Sequence, residues 1–503
     1  MKIAVINGSP KGQNSITLQS LKYLAKLHPE HEFRELDAGR KTVVLERDFA
    51  EAMEILEWCD SIIFSFPVYT FIAPAQLHRF IEMMFEREVK VKGKFATSIT
   101  TSKHFYDVTA HKYVEENALD LGLKYVKGHS ADMDDLTKPA GREELEKFFD
   151  YFIWCIENNI HEEKKESPAA YIQAPVTIPE RKENAEKGGD VVIITDCTDE
   201  NSNLYRMIER FREKLPYKTR IFNISEFPFR GGCLGCFNCA VSGKCIYNDN
   251  FDTTLRESIQ IADAIVYAFD IKYHSFGSRF KMYNDRNFCN GHRTVTVGMP
   301  VGYLVSGAYS SEDNVRMIVE GRAEVGRNFL AGVATDESPY SVTDGDTCLA
   351  ETQSPHGSGA FSSIHCRSAA SLPEERGLSD TSDNMTSTDI RIDELAKKLA
   401  YALDNKLIVA QNFLGVGGMK IFRDLIYQMR GMMRADHKFY KKGGYYNDFP
   451  QKHWKQSLLM YLVGFMLGNE KIKKKIGNNM NEGMLMPYKK VLDDLDKKLE
   501  KEN

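Results

Sequence analysis

The sequence lacks the features that mark secreted, membrane-spanning and nucleic-acid-binding chains. It has ten cysteines in 503 residues and no apolar signal stretch after Met1, so a disulfide framework is not favoured. No basic run exceeds residues 473–475 and the formal net charge is −5, which favours neither nucleic acid nor an anionic membrane as partner. The most apolar run, residues 457–468, is too short to span a bilayer comfortably. We therefore expect a cytoplasmic protein with reduced thiols.

Four of the cysteines stand close together, as Cys233, Cys236, Cys239 and Cys245. Their Cys-x2-Cys-x2-Cys-x5-Cys spacing suits four thiolates around one iron–sulfur cluster, and the glycines between them let the backbone bend around it. Structural zinc uses the same ligands, although it usually splits them into two knuckles separated by a longer spacer, which this run does not have. Zinc and free or redox-active thiols stay open as alternatives.

Short apolar runs alternate with helical patterns along the chain. Residues 2–6, 61–66 and 95–100 have the composition of buried strands, and residues 77–84 carry the apolar stripe of an amphipathic helix. Strands that alternate with helices predict a parallel, doubly wound sheet.

This order occurs twice. Residues 190–202 align without gaps to residues 3–15, and residues 262–269 match residues 59–66, so the chain contains two diverged copies of one α/β unit. We predict copy one at residues 1–160, a linker at 161–189, copy two at 190–405 and a helical tail at 406–503. Residues 340–389, rich in Ser, Thr, Asp and Gly, are predicted to be a disordered insertion within copy two.

A loop of small and hydroxyl residues, residues 7–15, joins the first strand to the first helix. In this phosphate loop, backbone N–H groups and the positive end of the helix would face a phosphate. Ser9, Asn14 and Ser15 add side-chain donors, and Lys11 adds a counter-charge. Such loops also occur where they merely cap a helix.

Two more loops follow strands that should end at the same sheet edge. In the first, residues 67–70, Pro67 and Tyr69 could hold a flat ring, and the second, residues 100–107, presents further polar groups. Three loops at one edge fit one phosphorylated flat cofactor, FMN. Tyr69, His104 and Tyr106 are candidate catalytic residues; for the last two, the alternative is a capped loop with solvated side chains.

At these residues the chain resembles a known family. Gly-Ser-Pro-Lys followed by Asn-Ser, and then Pro-Val-Tyr, is similar to the flavodoxin-like NAD(P)H-dependent FMN reductases. The four-cysteine run before the Asp-Ala-Ile strand resembles their iron–sulfur flavoprotein branch. The resemblance covers residues 1 to about 155 and 190 to about 335, and it implies two tandem flavodoxin-like doubly wound parallel sheets, here followed by a helical C-terminal extension.

The resemblance also implies cofactors and the residues that hold them. A [4Fe-4S] cluster would be ligated by Cys233, Cys236, Cys239 and Cys245. The FMN contacts would be Ser9, Lys11, Asn14 and Ser15 at the phosphate, Pro67, Val68, Tyr69 and Thr70 at the isoalloxazine, and Thr100, Thr101 and Ser102 from the third loop.

The two copies depart from the family pattern in opposite ways. The stretch of copy one that matches the cysteine run, residues 36–48, has no cysteine. In copy two, acidic residues replace phosphate-loop residues: Asp196 for Ser9, Asp199 for Gly12 and Glu200 for Gln13. Carboxylates there would repel a phosphate. We hypothesise that copy one holds FMN, that copy two holds the cluster, and that the tandem is a pseudo-dimer in which the faces bearing Tyr69 and Cys236 meet.

The implied reaction begins with hydride transfer from NADH or NADPH to FMN and continues with electron transfer to the cluster. The partners implied are a nicotinamide nucleotide and an electron acceptor, either a small molecule or a redox protein; a homodimer stays open. One alternative is a non-enzymatic flavodoxin-like electron carrier. Another is an FMN reductase whose cysteine loop holds structural zinc.

Overall fold

The computed structural model describes residues 1–164, 171–180, 187–338, 340–343, 346–349, 385–467, 497, 500 and 501. The chain divides into two compact units, Met1–His437 and Lys438–Asn503. The first unit contains both predicted sheets and extends past the predicted domain boundary at residue 405.

The first sheet contains six strands in parallel pairs. They are β1 Lys2–Asn7, β2 Glu32–Leu36, β3 Ser61–Pro67, β4 Phe95–Ser102, β5 Lys124–Tyr125 and β6 His129–Asp132. The spatial order is β2-β1-β3-β4-β5, with β6 also paired to β4. The helices are α1 Ile16–Leu27, α2 Ala38–Arg47, α3 Ala50–Trp58, α4 Ala75–Glu86, α5 Asp107–Asp120 and α6 Pro139–Glu157. Every residue of β4 is buried, as helices on both faces of a parallel sheet require.

The second sheet repeats this design. Its strands are β7 Lys187–Thr195, β8 Tyr217–Asn223, β9 Ala264–Asp270, β10 Val301–Ser306 and β11 Leu330–Thr335. The spatial order β8-β7-β9-β10-β11 matches that of the first sheet. Its helices are α7 Asn203–Lys214, α8 Asn238–Ser242, α9 Phe251–Thr254, α10 Gly277–Arg286, α11 Asp313–Gly326 and α12 Ser387–Asn405. The prediction of two tandem doubly wound parallel sheets is confirmed.

The predicted insertion is not structureless throughout. Strands β12 Tyr340–Thr343 and β13 Asp346–Leu349 pair antiparallel, and α12 begins inside the predicted range, at Ser387. A capping box fixes that start, because the Thr386 side chain accepts from the Asp389 amide and the Asp389 side chain accepts from the Thr386 amide. The rest of the predicted insertion, residues 344–345 and 350–384, lies outside the described part.

Part of the predicted linker lies on the edge of the second sheet. Gln173 forms an antiparallel bridge with Glu337, and the Ala174 amide donates to the Asp336 carbonyl at 2.8 Å. The buried Asp336 carboxylate accepts from Tyr171 and Asn203 at 2.7 and 2.9 Å. These residues therefore cover the carboxyl end of the second sheet, whereas residues 165–170 and 181–186 lie outside the described part.

The two copies pack through α4 and α10 with reciprocal helix caps. The Asp285 carboxylate accepts from the Ala75 amide at the start of α4 at 2.8 Å, and the Glu82 carboxylate accepts from the Ser278 amide at the start of α10 at 2.6 Å. Ala75 corresponds to Ser278, and Glu82 to Asp285, in the register that matches β3 to β9. Such reciprocity is typical of a two-fold interface, so the tandem packs as a pseudo-dimer.

The described part of the C-terminal region is helical, as predicted. It comprises α13 Phe413–Gln428, α14 Arg434–Lys442 and α15 Trp454–Leu467. α13 belongs to the first unit and α15 to the second. The described helices include none that is both long enough and apolar enough to cross a bilayer.

Candidate cofactor site

One cavity of about 370 Å³ lies at the carboxyl end of the first sheet and is lined by loops of both copies. From copy one come Ser9, Lys11, Ser15, Thr17, Pro67, Val68, Tyr69, Thr70, Thr101 and Ser102. From copy two come Cys233, Cys236, Cys239, Cys245, Arg286, Phe288, His292 and Arg293. The faces bearing Tyr69 and Cys236 meet here, which is the arrangement that the pseudo-dimer hypothesis requires.

The phosphate loop turns its hydroxyl residues inward. Ser9 and Ser15 are buried, and the Ser15 hydroxyl caps α1 by accepting from the Leu18 amide at 3.4 Å. The amides of the first helical turn have no acceptors within the helix, and Thr17 of that turn also lines the cavity. This wall of the cavity therefore suits an anion.

Lys11 extends from the phosphate loop toward copy two. Its Nζ lies 4.9 Å from the centre of the Phe237 ring, inside the cysteine loop, which we define as residues 233–245. Burial lowers the pKa of Lys11, and the nearby Cys233 and Cys236 oppose this shift. One cation thus stands between the phosphate loop and the cysteines.

The ring loop, defined as residues 67–72, has a constrained backbone. The Tyr69 amide donates to the Ile72 carbonyl at 2.8 Å, and Thr70 and Phe71 adopt positive φ values of 41° and 73°. Residues other than glycine rarely adopt this left-handed backbone conformation, and β-branched residues such as threonine do so least often. The Tyr69 ring meets Phe288 of copy two edge-on, with centroids 5.6 Å apart, so this loop faces the cavity and copy two together.

Four predicted residues lie away from the cavity lining. Asn14 is exposed, and the Thr100 hydroxyl bonds to His111 Nε2 at 2.8 Å. His104 is exposed and bonds to Asp107 at 2.9 Å, whereas Tyr106 is buried against copy two, where a Cβ on Gly321 would meet its hydroxyl. The structure brings the other predicted FMN residues together, and the roles of these four stay predictions.

The cysteine loop is partly exposed, with Cys236 exposed and Cys233, Cys239 and Cys245 half-buried. Burial raises the pKa of Cys233 far above its ordinary value and that of Cys239 to about 11. The Gly235 amide approaches Cys233 Sγ at 3.5 Å, and Arg286 Nη2 approaches Cys245 Sγ at 3.8 Å. Each of these two sulfurs therefore has one donor nearby, and hydrogen bonds to sulfur also occur in iron–sulfur sites.

The cysteine sulfurs are more widely spaced than one metal ion needs. Zinc with four sulfurs at 2.3 Å places those sulfurs about 3.8 Å apart. Among the described His, Cys, Asp and Glu side chains, no group of three that includes a cysteine brings its ligand atoms within 4.8 Å of one another.

Several lining residues escaped the sequence analysis. Arg286 is buried and forms a bidentate pair with Asp249 at 2.7 Å. Phe288, His292 and Arg293 follow it in the chain, and α13 adds Phe422 and Leu425. The Asp285-Arg286 end of α10 resembles the Glu86-Arg87 end of α4, but it lies one helical turn earlier in the register that aligns Asp285 with Glu82.

Comparisons with known proteins agree with this fold. Residues 1–134 match the Flavodoxin_2 family, whose description is a flavodoxin-like fold. Among curated proteins, no sequence matches this chain.

Solved structures resemble one part of the chain. Smu.1420 from Streptococcus mutans UA159 is 21% identical over 30% of this chain and 98% of its own, with a TM-score of 0.25. An FMN-dependent NADH-azoreductase from Bacillus anthracis is 15% identical over 30% and 98%, with a TM-score of 0.24. An NAD(P)H:quinone oxidoreductase from Methanothermobacter marburgensis is 15% identical over 33% and 98%, with a TM-score of 0.24.

The family match covers all of the first sheet, and the second sheet repeats its strand order. That order is the one that flavodoxin-like folds share. The chain is therefore a tandem of two flavodoxin-like sheets, and its N-terminal copy matches the Flavodoxin_2 family model.

Proposed function

We propose that this protein is an NAD(P)H-dependent FMN oxidoreductase in which copy one holds FMN and copy two holds a [4Fe-4S] cluster. Electrons would pass from the nicotinamide to FMN, then to the cluster and on to an acceptor, either a small molecule or a redox protein. The observation that carries the proposal is the single cavity shared by the phosphate loop, the ring loop and all four cysteines. Sparse cysteine usage favours a cytoplasmic location.

The residues of copy one fit FMN. Buried hydroxyls of Ser9 and Ser15 and the start of α1 suit its phosphate, and Lys11 adds a positive charge. Pro67 and Tyr69 line the part of the cavity that would hold the ring. A volume of about 370 Å³ lies in the usual range for cofactor pockets.

The residues of copy two suit a cluster. The four thiols line one wall, and their sulfurs are spaced more widely than a tetrahedral zinc ion requires. Metal binding would displace the protons that burial now stabilises on Cys233 and Cys239. The cation of Arg286 beside Cys245 would offset the negative charge of the centre.

When bound, FMN would supply hydride acceptance and one-electron release, and the cluster would supply one-electron transfer. The chain's own part is binding, orientation and exclusion of water. Tyr69 and Phe288 close the contact between the copies, while Phe422 and Leu425 of α13 cover another side. No acid or base is needed for hydride transfer, so the location of His104 and Tyr106 outside the cavity is compatible with the proposal.

Purification without oxygen, followed by steady-state assays with NADH and NADPH, tests the reaction. FMN-loaded protein should oxidise a nicotinamide continuously when an artificial electron acceptor is present. A flavodoxin-like carrier would bind FMN without such turnover, and that result would reject the enzyme.

Metal analysis of the same sample tests the cluster. We expect iron and sulfide in wild-type protein and their loss in Cys233→Ala, while Cys59→Ala, a change at a buried cysteine of the first sheet, retains both. Zinc without iron would reject the cluster and leave the flavin assignment standing.

A further inference from the structure

Copy two contains a buried ion pair that the proposed function leaves unused. Lys281 and Asp285 lie one turn apart on α10, both side chains are 0% exposed, and they are paired directly. Burying two charges is costly, and two apolar residues of similar volume are often at least as stable. The pair therefore calls for a role other than the stability of α10.

Both members of the pair bond to the ring loop of copy one. Lys281 Nζ donates to the Tyr69 carbonyl at 2.9 Å and to the Thr70 hydroxyl at 2.7 Å. The Thr70 hydroxyl donates to Asp285 at 2.6 Å, and the Ala75 amide donates to the other Asp285 oxygen at 2.8 Å. The charges thus connect α10 of copy two to the ring loop and to the start of α4.

The ring loop needs such support. Thr70 and Phe71 hold left-handed backbone conformations, and such conformations persist where their surroundings over-determine them. Charge-assisted hydrogen bonds to the Tyr69 carbonyl and the Thr70 hydroxyl are the strong kind. They fix the loop at the residues that line the cavity.

On the other side of the pseudo-dimer, Glu82 pairs instead with Arg79 at 3.2 Å, and that arginine is partly exposed. Glu82 caps Ser278 as Asp285 caps Ala75, but His78 stands at the position of Lys281 in the same register. His78 bonds to the Ser275 hydroxyl at 3.1 Å. Lys281 and Asp285 are therefore paired on the side of the interface where the cavity lies.

We propose that Lys281 and Asp285 are positioning residues that hold the ring loop of copy one in its FMN-binding conformation. This inference rests on the proposed function. The next residue, Arg286, donates to the Gly231 carbonyl at 2.9 Å and approaches Cys245 Sγ at 3.8 Å. The end of α10 thus holds the ring loop and the cysteine loop in one cavity.

Asp285→Asn tests the inference, with Glu82→Gln as the matched control. Both variants remove a carboxylate that caps a helix at the same interface, so both should lower the melting temperature. Asp285→Asn should raise the Kd for FMN about 10- to 100-fold, the range expected for a lost charge-assisted bond. Glu82→Gln should change it less than about twofold. FMN fluorescence quenching measures Kd without turnover.

A double variant, Lys281→Met with Asp285→Leu, separates positioning from stability. Two apolar side chains should keep the protein folded, yet FMN should still bind more weakly. If wild-type protein binds FMN, and both Asp285 variants bind it as tightly as Glu82→Gln, the positioning role is overturned. If wild-type protein itself binds no FMN, the proposed function fails, and the inference fails with it.

Discussion

The two copies share a strand order but differ at the carboxyl end of the sheet. In copy one, the buried hydroxyls of Ser9 and Ser15 face an open cavity. In copy two, Asp196 stands at the position of Ser9, and burial raises its pKa to about 6. The Asn203 side chain donates to the Ala174 carbonyl at 2.9 Å. Residues 171–177 thus cover the edge of copy two that corresponds to the open cavity edge of copy one.

This difference shows how the two copies of a duplicated fold can take different parts in one site. Copy two keeps the fold and its interface, while its own ligand edge is acidic and covered. Its cysteine loop and the end of α10 instead complete the cavity of copy one. The two unequal copies of one chain thereby form one cavity, whereas a symmetric dimer would form two.

Exchanging the phosphate-loop residues should give the largest effect. Ser9→Asp places a carboxylate where the FMN phosphate would bind, and like-charge repulsion should weaken FMN binding about 100-fold. Asp196→Ser should not create a second FMN site, because residues 171–177 still cover that edge. Titration with FMN, followed by fluorescence, checks both variants. Unchanged affinity for FMN in Ser9→Asp, or a second bound FMN in Asp196→Ser, would show that the two copies do not differ at this edge as described.

Gly235 tests the contact between the copies. A Cβ at this position would lie 1.9 Å from the Tyr69 hydroxyl oxygen, so Gly235→Ala should lower stability by about 2 kcal/mol more than the backbone cost alone. Gly243→Ala is the control, because Gly243 also has a positive φ but its nearest atom lies at 3.7 Å. Urea unfolding measures both. Adding Tyr69→Phe should restore part of the stability that Gly235→Ala loses. Equal losses of stability at the two glycines would show that the ring loop and the cysteine loop are not in contact.

Rising pH should loosen the interface. Burial opposes the charging of His274, but the hydrogen bonds that its ring donates to Asp120 of copy one and Glu312 of copy two raise its pKa to about 10. Its stabilisation is full below the unfolded pKa of about 6.5 and is lost as pH rises through 10. Burial raises the pKa of Glu116 to about 7, which adds a loss of the same sign at lower pH.

His274→Gln should therefore flatten the dependence. Wild-type protein should lose about 2 kcal/mol of stability between pH 6.5 and pH 10 that the variant does not lose. Urea unfolding at the two pH values provides the measurement. If wild-type protein and His274→Gln lose the same stability between the two pH values, this ion-pair cluster does not link the copies.

The helix caps should give the smallest effect. Ser15 caps α1 and Ser202 caps α7 in the same way, accepting from the amides of Leu18 and Tyr205 at 3.4 and 3.1 Å. Either change to Ala should lower stability by about 1 kcal/mol. Only Ser15→Ala should also weaken FMN binding. Equal FMN affinity in the two variants would remove Ser15 from the phosphate site.

Local patterns in the sequence predicted much of the molecule. The useful signals each extend over only a few residues: short apolar runs for the buried strands, the small-residue loop before α1 and the cysteine spacing. They predicted both sheets and most of the residues of copy one that line the cavity. Asp285 could not be found this way, because its partner Thr70 lies 215 residues away. The bridge between Gln173 and Glu337 is also distant in sequence, so residues 171–177 had the appearance of a linker.

Side-chain direction was also beyond sequence reasoning. Thr100 and Thr101 are neighbours on β4, and alternation along a strand points them to opposite faces. Thr101 therefore bonds to Thr17 at 2.6 Å beside the cavity, whereas Thr100 bonds to His111. The third loop was predicted as a unit, but its residues separate into two environments.

The central claim is that the two copies hold different cofactors in one cavity. Quantifying flavin, iron, sulfide and zinc in one anaerobically purified sample tests it most directly. We expect one FMN and one [4Fe-4S] cluster per chain, with little zinc. Two FMN per chain, or zinc in place of iron, would contradict it.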